Sequence, residues 1–407
     1  MRLLEALDRR QRWLLRLAFL LWMALAIVVS AKTLIDPALH STYPCFESGA
    51  RYWWAGRDVY RDCPHDFRYG PAFAVALGPL ALLPTPLGAQ LWNWLNIGVL
   101  FFTLRAMVRH VLPGGYWTPR REAAFLAVTA VGAFHTLWSG QTNLLVFSLV
   151  ALGVIAARHE RWSLAALLLA LPVHIKIWPL AAGLLLAACR PRKLAPRLPL
   201  ALLLIGGIPF LTKPWPWVCR QYAGWYQLLV GPAQVRHTYR DAWTIWEFIH
   251  APVDPRLYAA LQLGMALAAL VLCCIQARRT ASRCGLSLFV LVTWTTWQLV
   301  FGPGTERNTF GLIAPLSSWA LIASFEEKWG RTLMTLSFVL MLVSTSGAIE
   351  HVLLPYFEWV KIIHPMGVIL FFAWFLGWNA GWGCNTLSPL AGEGGVRGEL
   401  QSCDADH

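Results

Sequence analysis

The chain has 407 residues, of which 57% are hydrophobic and 14% charged, with a formal net charge of +13. So apolar a composition excludes a set of separate soluble domains and fits serial spanning helices packed as one bundle. The Arg residues fall in short clusters between apolar segments, which excludes nucleic-acid binding as the explanation of the charge and matches basic loops kept on the cytoplasmic side.

In chain order, Arg2, Arg9, Arg10, Arg12 and Arg16 precede the first apolar run, which lacks a small-residue cleavage site. It is expected to stay as an uncleaved first helix with its start in the cytoplasm. Later basic clusters are Arg105 to Arg121, Arg158 with Arg161, Arg190 to Arg197, and Arg278 to Arg283. Placing all of them in the cytoplasm predicts helices at 14–31, 88–107, 122–138, 143–157, 162–174, 177–188, 197–211, 256–276, 285–301, 311–325, 331–348 and 363–380.

The expected fold is therefore all-α and integral to the membrane, a bundle of about 12 helices (10–13) with both termini cytoplasmic. Several segments are shorter than the ~20 residues that a perpendicular crossing needs, and the 162–188 pair can be a broken or re-entrant hairpin. Pro71 to Pro84 is expected to be a re-entrant or surface helix, because a full crossing there would turn the Arg105 to Arg121 loop outward. Residues 1–383 form one polytopic domain in this reading, with 32–87 as a large first outer loop. Residues 384–407 are polar and Gly-rich and form a disordered tail.

With the basic loops inside, the remaining polar motifs gather on the outer face: His40 to Tyr69, Ser139 to Asn143, His174 to Lys176, Lys213 to Asp241 and Gly302 to Asn308. Polar groups at membrane depth are costly and usually line a site. The first loop interleaves Asp36, His40, Glu47, Asp58, Asp62, His65 and Asp66 with aromatic residues that include Tyr43, Tyr52, Trp53, Trp54, Tyr60, Phe67 and Tyr69. Rings stack on the apolar faces of sugars and a carboxylate can take a hydroxyl proton. The same composition also describes an aromatic interfacial belt with solvated acids.

Lys176 follows a Pro-broken apolar run and has no acidic neighbour in sequence, so it calls for an anionic ligand or partner. Arg236, His237 and Arg240 in VRHTYRD, and Arg307 beside Glu306 in PGTERN, add further outer charge. Phosphate is the natural counterion of the set. Individually, each cation can instead snorkel to lipid head groups or pair with Glu306 or Asp241. Cys45 and Cys63 can pair in an oxidising compartment or stay free. The chain contains no CxxC pair, HExxH, Walker loop or GxGxxG, so neither a metal nor a nucleotide or other cofactor is expected.

The order of motifs resembles glycosyltransferase family 87, within the C-type superfamily of polyprenyl-phosphate-sugar-dependent membrane glycosyltransferases. The residues that carry it are GRDVY, FRYGPAFAVALGPLALLP and LWNWLN between Gly56 and Asn96, then SGQTNLLVFSL, then HIKIWPL from His174 to Leu180. WTTWQLVFGPGTERNTFGLIAPL, Trp294 to Leu316, is a weaker late echo. The resemblance implies a C-type bundle in a bacterial inner membrane. It implies transfer of one sugar, a hexose such as mannose or a pentose, from a polyprenyl-phosphate donor to a lipid or glycan acceptor outside the cytoplasm. Transfer would invert the anomeric centre, with a carboxylate base in the first loop and cations holding the leaving phosphate.

Carried over residue by residue, Lys176, Arg236, Arg240 and Arg307 would meet the donor phosphate. Gln141, Asn143, His174 and Tyr69 would meet the sugar or acceptor. The family's usual Asp has no counterpart, since Thr42 occupies its place in HSTYPCFESGA. Glu47 and Asp58 then rank level as candidate bases, followed by Asp36. A transporter or flippase of lipid-linked or anionic solutes is the alternative, because it too would carry an intramembrane Lys and broken helices.

Overall fold

The computed structural model describes residues 2–113, 117–231, 239–251, 254–279, 285–326, 328–345, 352 and 357–380. Helices α1 (Arg2–Ile35), α2 (Tyr43–Trp54), α3 (Pro71–Ala76), α4 (Gly78–Ala81), α5 (Thr85–His110), α6 (Pro119–Trp138), α7 (Asn143–Arg158), α8 (Trp162–Ala170) and α9 (Leu180–Cys189) make the first half. The second half has α10 (Pro191–Leu194), α11 (Arg197–Gly207), α12 (Trp215–Val230), α13 (Ala242–Phe248), α14 (Pro255–Arg278), α15 (Leu286–Val300), α16 (Ala314–Ala323), α17 (Lys328–Thr345) and α18 (Ile363–Asn379). No strand occurs among the described residues, and the nearest to one is an isolated antiparallel bridge between Tyr239 and Glu306.

A helix stands at each of the twelve predicted apolar segments. Among the described residues, five helices suffice by length and composition to cross a membrane: Arg12–Ile35, Thr85–His110, Pro191–Leu211, Pro255–Arg278 and Trp359–Asn379. α1 packs along α6 and α5, α5 on α7, α7 on α8, α8 on α11, and α18 between α15 and α17. Outward residues of α1 such as Phe19, Leu20 and Ile27 are exposed, as a lipid-facing stripe requires, while inward Trp22 is buried and donates from Nε1 to the Leu126 carbonyl at 3.1 Å.

Three local expectations need correction. The helix predicted from 177 begins only at Leu180, because Pro179 takes the cap position; 175–179 is an irregular connection. The 311–325 helix is entered through a 3₁₀ turn, Arg307–Ile313. The segment around Trp215, between the predicted helices 197–211 and 256–276, is expected without a helix of its own, yet it forms the 16-residue helix α12, with exposed Trp215, Tyr226 and Val230. α3 and α4, in the Pro71 to Pro84 segment, have six and four residues, too short to cross, and both pack on α2.

The chain segregates its chemistry by helix end. His110 and His159, closing α5 and α7, lie 3.1 Å apart, and Arg105 pairs with Glu122 at 2.5 Å. The opposite end holds Thr42, the Ser139 to Asn143 turn, the connection after α8 and the Gly302 to Asn308 segment. Arg236 and the 384–407 tail lie outside the described residues.

Candidate active site

Four stretches far apart in sequence meet at this polar end, and backbone geometry draws them together. α6 ends at Ser139, whose hydroxyl donates back to the His135 carbonyl at 2.8 Å. Gly140 follows at φ +61°, the left-handed region that suits glycine, and turns the chain sharply into α7. Its carbonyl accepts from Trp92 Nε1 at 2.7 Å and from Thr42 Oγ1 at 3.0 Å. The Thr42 amide also donates to the Ser139 carbonyl at 2.9 Å, so Thr42 clamps the first loop to this turn.

Asn143, the first residue of α7, is buried and bonds in two directions. Its Nδ2 donates to the Asn308 carbonyl at 2.9 Å, and its Oδ1 accepts from Lys176 Nζ at 2.9 Å. Thr136 Oγ1 donates to the same Asn308 carbonyl at 3.2 Å. Lys176 lies in the irregular connection that Pro172 and Pro179 create, and its ammonium stands 5.7 Å from the centre of the Tyr69 ring, a cation–π contact. Burial lowers the pKa of Lys176, while Glu306 and then Cys45 act to raise it.

Tyr69 is fixed in turn by Phe46, edge-on at 4.9 Å, and by the Tyr60 hydroxyl, which donates to its carbonyl at 2.8 Å. Gly70, next to it, presses on the backbone of the α8 connection: a Cβ there would overlap the His174 carbonyl oxygen. Opposite, Arg240 is buried, its amide donates to the Thr305 carbonyl at 2.8 Å, and Tyr239 bridges to Glu306. Arg307 opens the 3₁₀ turn next in sequence. Gln141 is buried in the same turn as Asn143.

Other predicted residues sit elsewhere. The His174 ring turns toward α11, where Nε2 donates to the Leu202 carbonyl at 3.0 Å. Glu47, buried in α2, accepts from Arg51 at 2.7 Å and from Thr85 Oγ1 at 2.9 Å, and so fastens α2 to the start of α5. Asp58 Oδ1 accepts from the amides of Tyr60 and Arg61 at 2.9 and 3.1 Å, an Asx turn. Exposed Asp36 does the same for Ala38 and Leu39. Cys45 and Cys63 carry free thiols. Burial, together with Cys63 and Asp66, pushes the Cys45 thiol up to about 12, so it is not a nucleophile at neutral pH.

Arg51→Ala would leave the Glu47 carboxylate without its cation in a mostly buried place. It is expected to lower the unfolding free energy by about 1–3 kcal/mol. A drop in the thermal midpoint of the detergent-solubilised protein checks this.

The model of glycosyltransferase family 87 matches residues 67–303, more than half of the chain. The chain belongs to glycosyltransferase family 87. Tyr69, Gln141, Asn143, Lys176 and Arg240 fall within the matched stretch; Asp36, Thr42, Glu47, Asp58, Glu306 and Arg307 fall outside it. Over 147 residues the chain is 33% identical to a polyprenol-phosphate-mannose-dependent alpha-(1-2)-phosphatidylinositol pentamannoside mannosyltransferase of Mycolicibacterium smegmatis. That match covers 35% of this chain and 34% of the relative, so it spans about a third of each.

Of the residues around Lys176, Glu306 enters the sequence reading only as a partner for the outer cations. Its sequence signal was the carboxylate in the late echo of the family pattern, one residue before a 3₁₀ turn.

Proposed function

We propose that this family 87 protein transfers one sugar from a polyprenyl-phosphate donor to a lipid or glycan acceptor, at the extracytoplasmic end of a multi-pass bundle in the bacterial inner membrane. The carrying observation is the Lys176 ammonium, held by Asn143 and seated over Tyr69 where four stretches converge. A sugar phosphate matches that arrangement: Lys176 attracts the phosphate, and α7 points its uncapped N-terminal turn, positive by its dipole, at the same place. Tyr69 offers a ring to the sugar, while Gln141 and Asn143 offer amides to hydroxyls.

Arg240 and Arg307 add positive charge to the phosphate side. In the displacement the acceptor oxygen bonds to the anomeric carbon as the bond from that carbon to the phosphate oxygen breaks. The polyprenyl phosphate departs with the electron pair, and the cations stabilise its growing charge. Mannose is the sugar named for the relative and is the first to try.

The test is to incubate the purified chain with polyprenyl phosphates bearing mannose, glucose or arabinofuranose, together with alkyl glycoside acceptors. Release of polyprenyl phosphate with glycosylation of the acceptor supports the proposal. Absence of turnover with every donor, combined with movement of donor across vesicle membranes, refutes it in favour of a transporter.

A further inference from the structure

Resting on that reading of the site, we propose that Glu306 is the general base, in place of the carboxylate missing at Thr42. Three of the chain's alternatives are committed to other contacts. Glu47 holds Arg51 and Thr85, while Asp58 and Asp36 close turns of their own loops. Asp66, also in the first loop, is ion-paired with Arg68.

The Glu306 carboxylate, by contrast, makes no hydrogen bond or ion pair among the described residues, and the residue is exposed beside the site. Its backbone is fixed on both flanks. Tyr239 bridges to it, the Thr305 carbonyl accepts from the Arg240 amide, and the Thr305 hydroxyl donates to the Gln298 carbonyl at 2.8 Å. Two residues on, the Asn308 carbonyl accepts from Asn143, whose other side-chain atom holds Lys176. The carboxylate is therefore carried on a rigid segment bound to the phosphate-holding pair, and its charge is felt at Lys176, Tyr69 and Arg68.

That placement suits a base. A carboxylate without a committed donor can accept a proton. The acceptor hydroxyl would approach between Glu306 and the sugar. As its oxygen bonds to the anomeric carbon, its proton passes to a Glu306 carboxylate oxygen and the phosphate leaves toward Lys176. Glu306 then returns the proton to solvent. Titratable groups near it include Lys176, Tyr69 and Arg68 with its partner Asp66, and along the backbone Tyr239, Arg240 and Arg307.

The test compares Glu306→Gln and Glu306→Asp with the wild-type chain, using a polyprenyl-phosphate sugar that the wild type turns over and an alkyl glycoside acceptor. Glu306→Gln is expected to lower kcat by about 10²–10⁴-fold with little change in the donor KM. It should also abolish the loss of rate on the acid side of the pH profile, since that limb reports protonation of the base. Glu306→Asp should recover part of the rate, and unchanged thermal midpoints exclude misfolding.

The assignment is overturned if Glu306→Gln keeps more than half of the wild-type kcat, or if the acid limb disappears instead in Glu47→Gln or Asp58→Asn. A wild-type chain that turns over no donor would refute the transfer reading and the base together, so the two failures are distinguishable.

Discussion

Lys176→Ala is expected to cut sugar transfer by about 10²–10³-fold, the range found when one donor facing a developing oxyanion is removed. The reason is geometric as well as electrostatic. Lys176 is anchored to Asn143 at 2.9 Å and rests over Tyr69, so its charge is already in place when the phosphate leaves and little reorganisation is needed. Lys176→Arg should not restore the rate, because a planar fork cannot reproduce a point charge held by one amide oxygen.

The lysine also sets an alkaline limit. Burial lowers its pKa, so as pH rises it loses its proton before an exposed lysine would; kcat should then fall, as in Lys176→Ala, and the donor KM should climb with it. Steady-state kinetics across pH with a polyprenyl-phosphate sugar would check both statements. A Lys176→Ala variant with wild-type donor KM and kcat would remove the phosphate role.

Much of this was legible in the sequence, for reasons that can be named. An apolar run announces a helix wherever it occurs, so a helix stands within each of the twelve predicted segments. Asn143 and Lys176 stood out because lipid-compatible residues surround them, and the structure joins them directly. His174, two residues from Lys176, looked equivalent, but it ends a 3₁₀ turn that aims its ring at Leu202. Sequence spacing does not show where a broken helix points its last side chains.

Helices α2 and α12 were harder to read. Both mix aromatic rings with polar residues and open with a proline in the first turn, so neither looks like a spanning run. What makes them helical is tertiary contact: Phe46 of α2 packs on Tyr69, Phe73 and Trp92, and α12 packs on α3. The proposed base is hard to read for a similar reason. Glu306 is followed by Arg307, which invites an ion pair, and nothing in the spacing shows that the segment carrying it is tied to Asn143 through the Asn308 carbonyl. Glu47 drew attention as an acid among aromatic rings, and only packing shows that it is enclosed by Arg51 and Thr85.

Gly70→Val should be as damaging as loss of Lys176, although Gly70 touches no proposed substrate. A Cβ at Gly70 would overlap the His174 carbonyl oxygen and press on the Trp225 ring, and a backbone oxygen cannot swing aside as a side-chain tip can. Either the 175–179 connection or the Tyr69 segment must shift. Overpacking of this kind costs about 1–3 kcal/mol of stability. The effect on rate should be larger, because Tyr69 and Lys176 lie on the two sides of that contact and a displacement near 1 Å can cost about 10²-fold.

Gly70→Ala should show a smaller version of the same loss, since its single methyl asks for less movement. Comparing thermal midpoints with donor KM and kcat for the two variants separates the effects. A lowered midpoint with unchanged kinetics would mean that the contact between Gly70 and His174 serves folding alone. A loss of kcat beyond the change in stability would place it among the contacts that set the distance from the sugar to the phosphate.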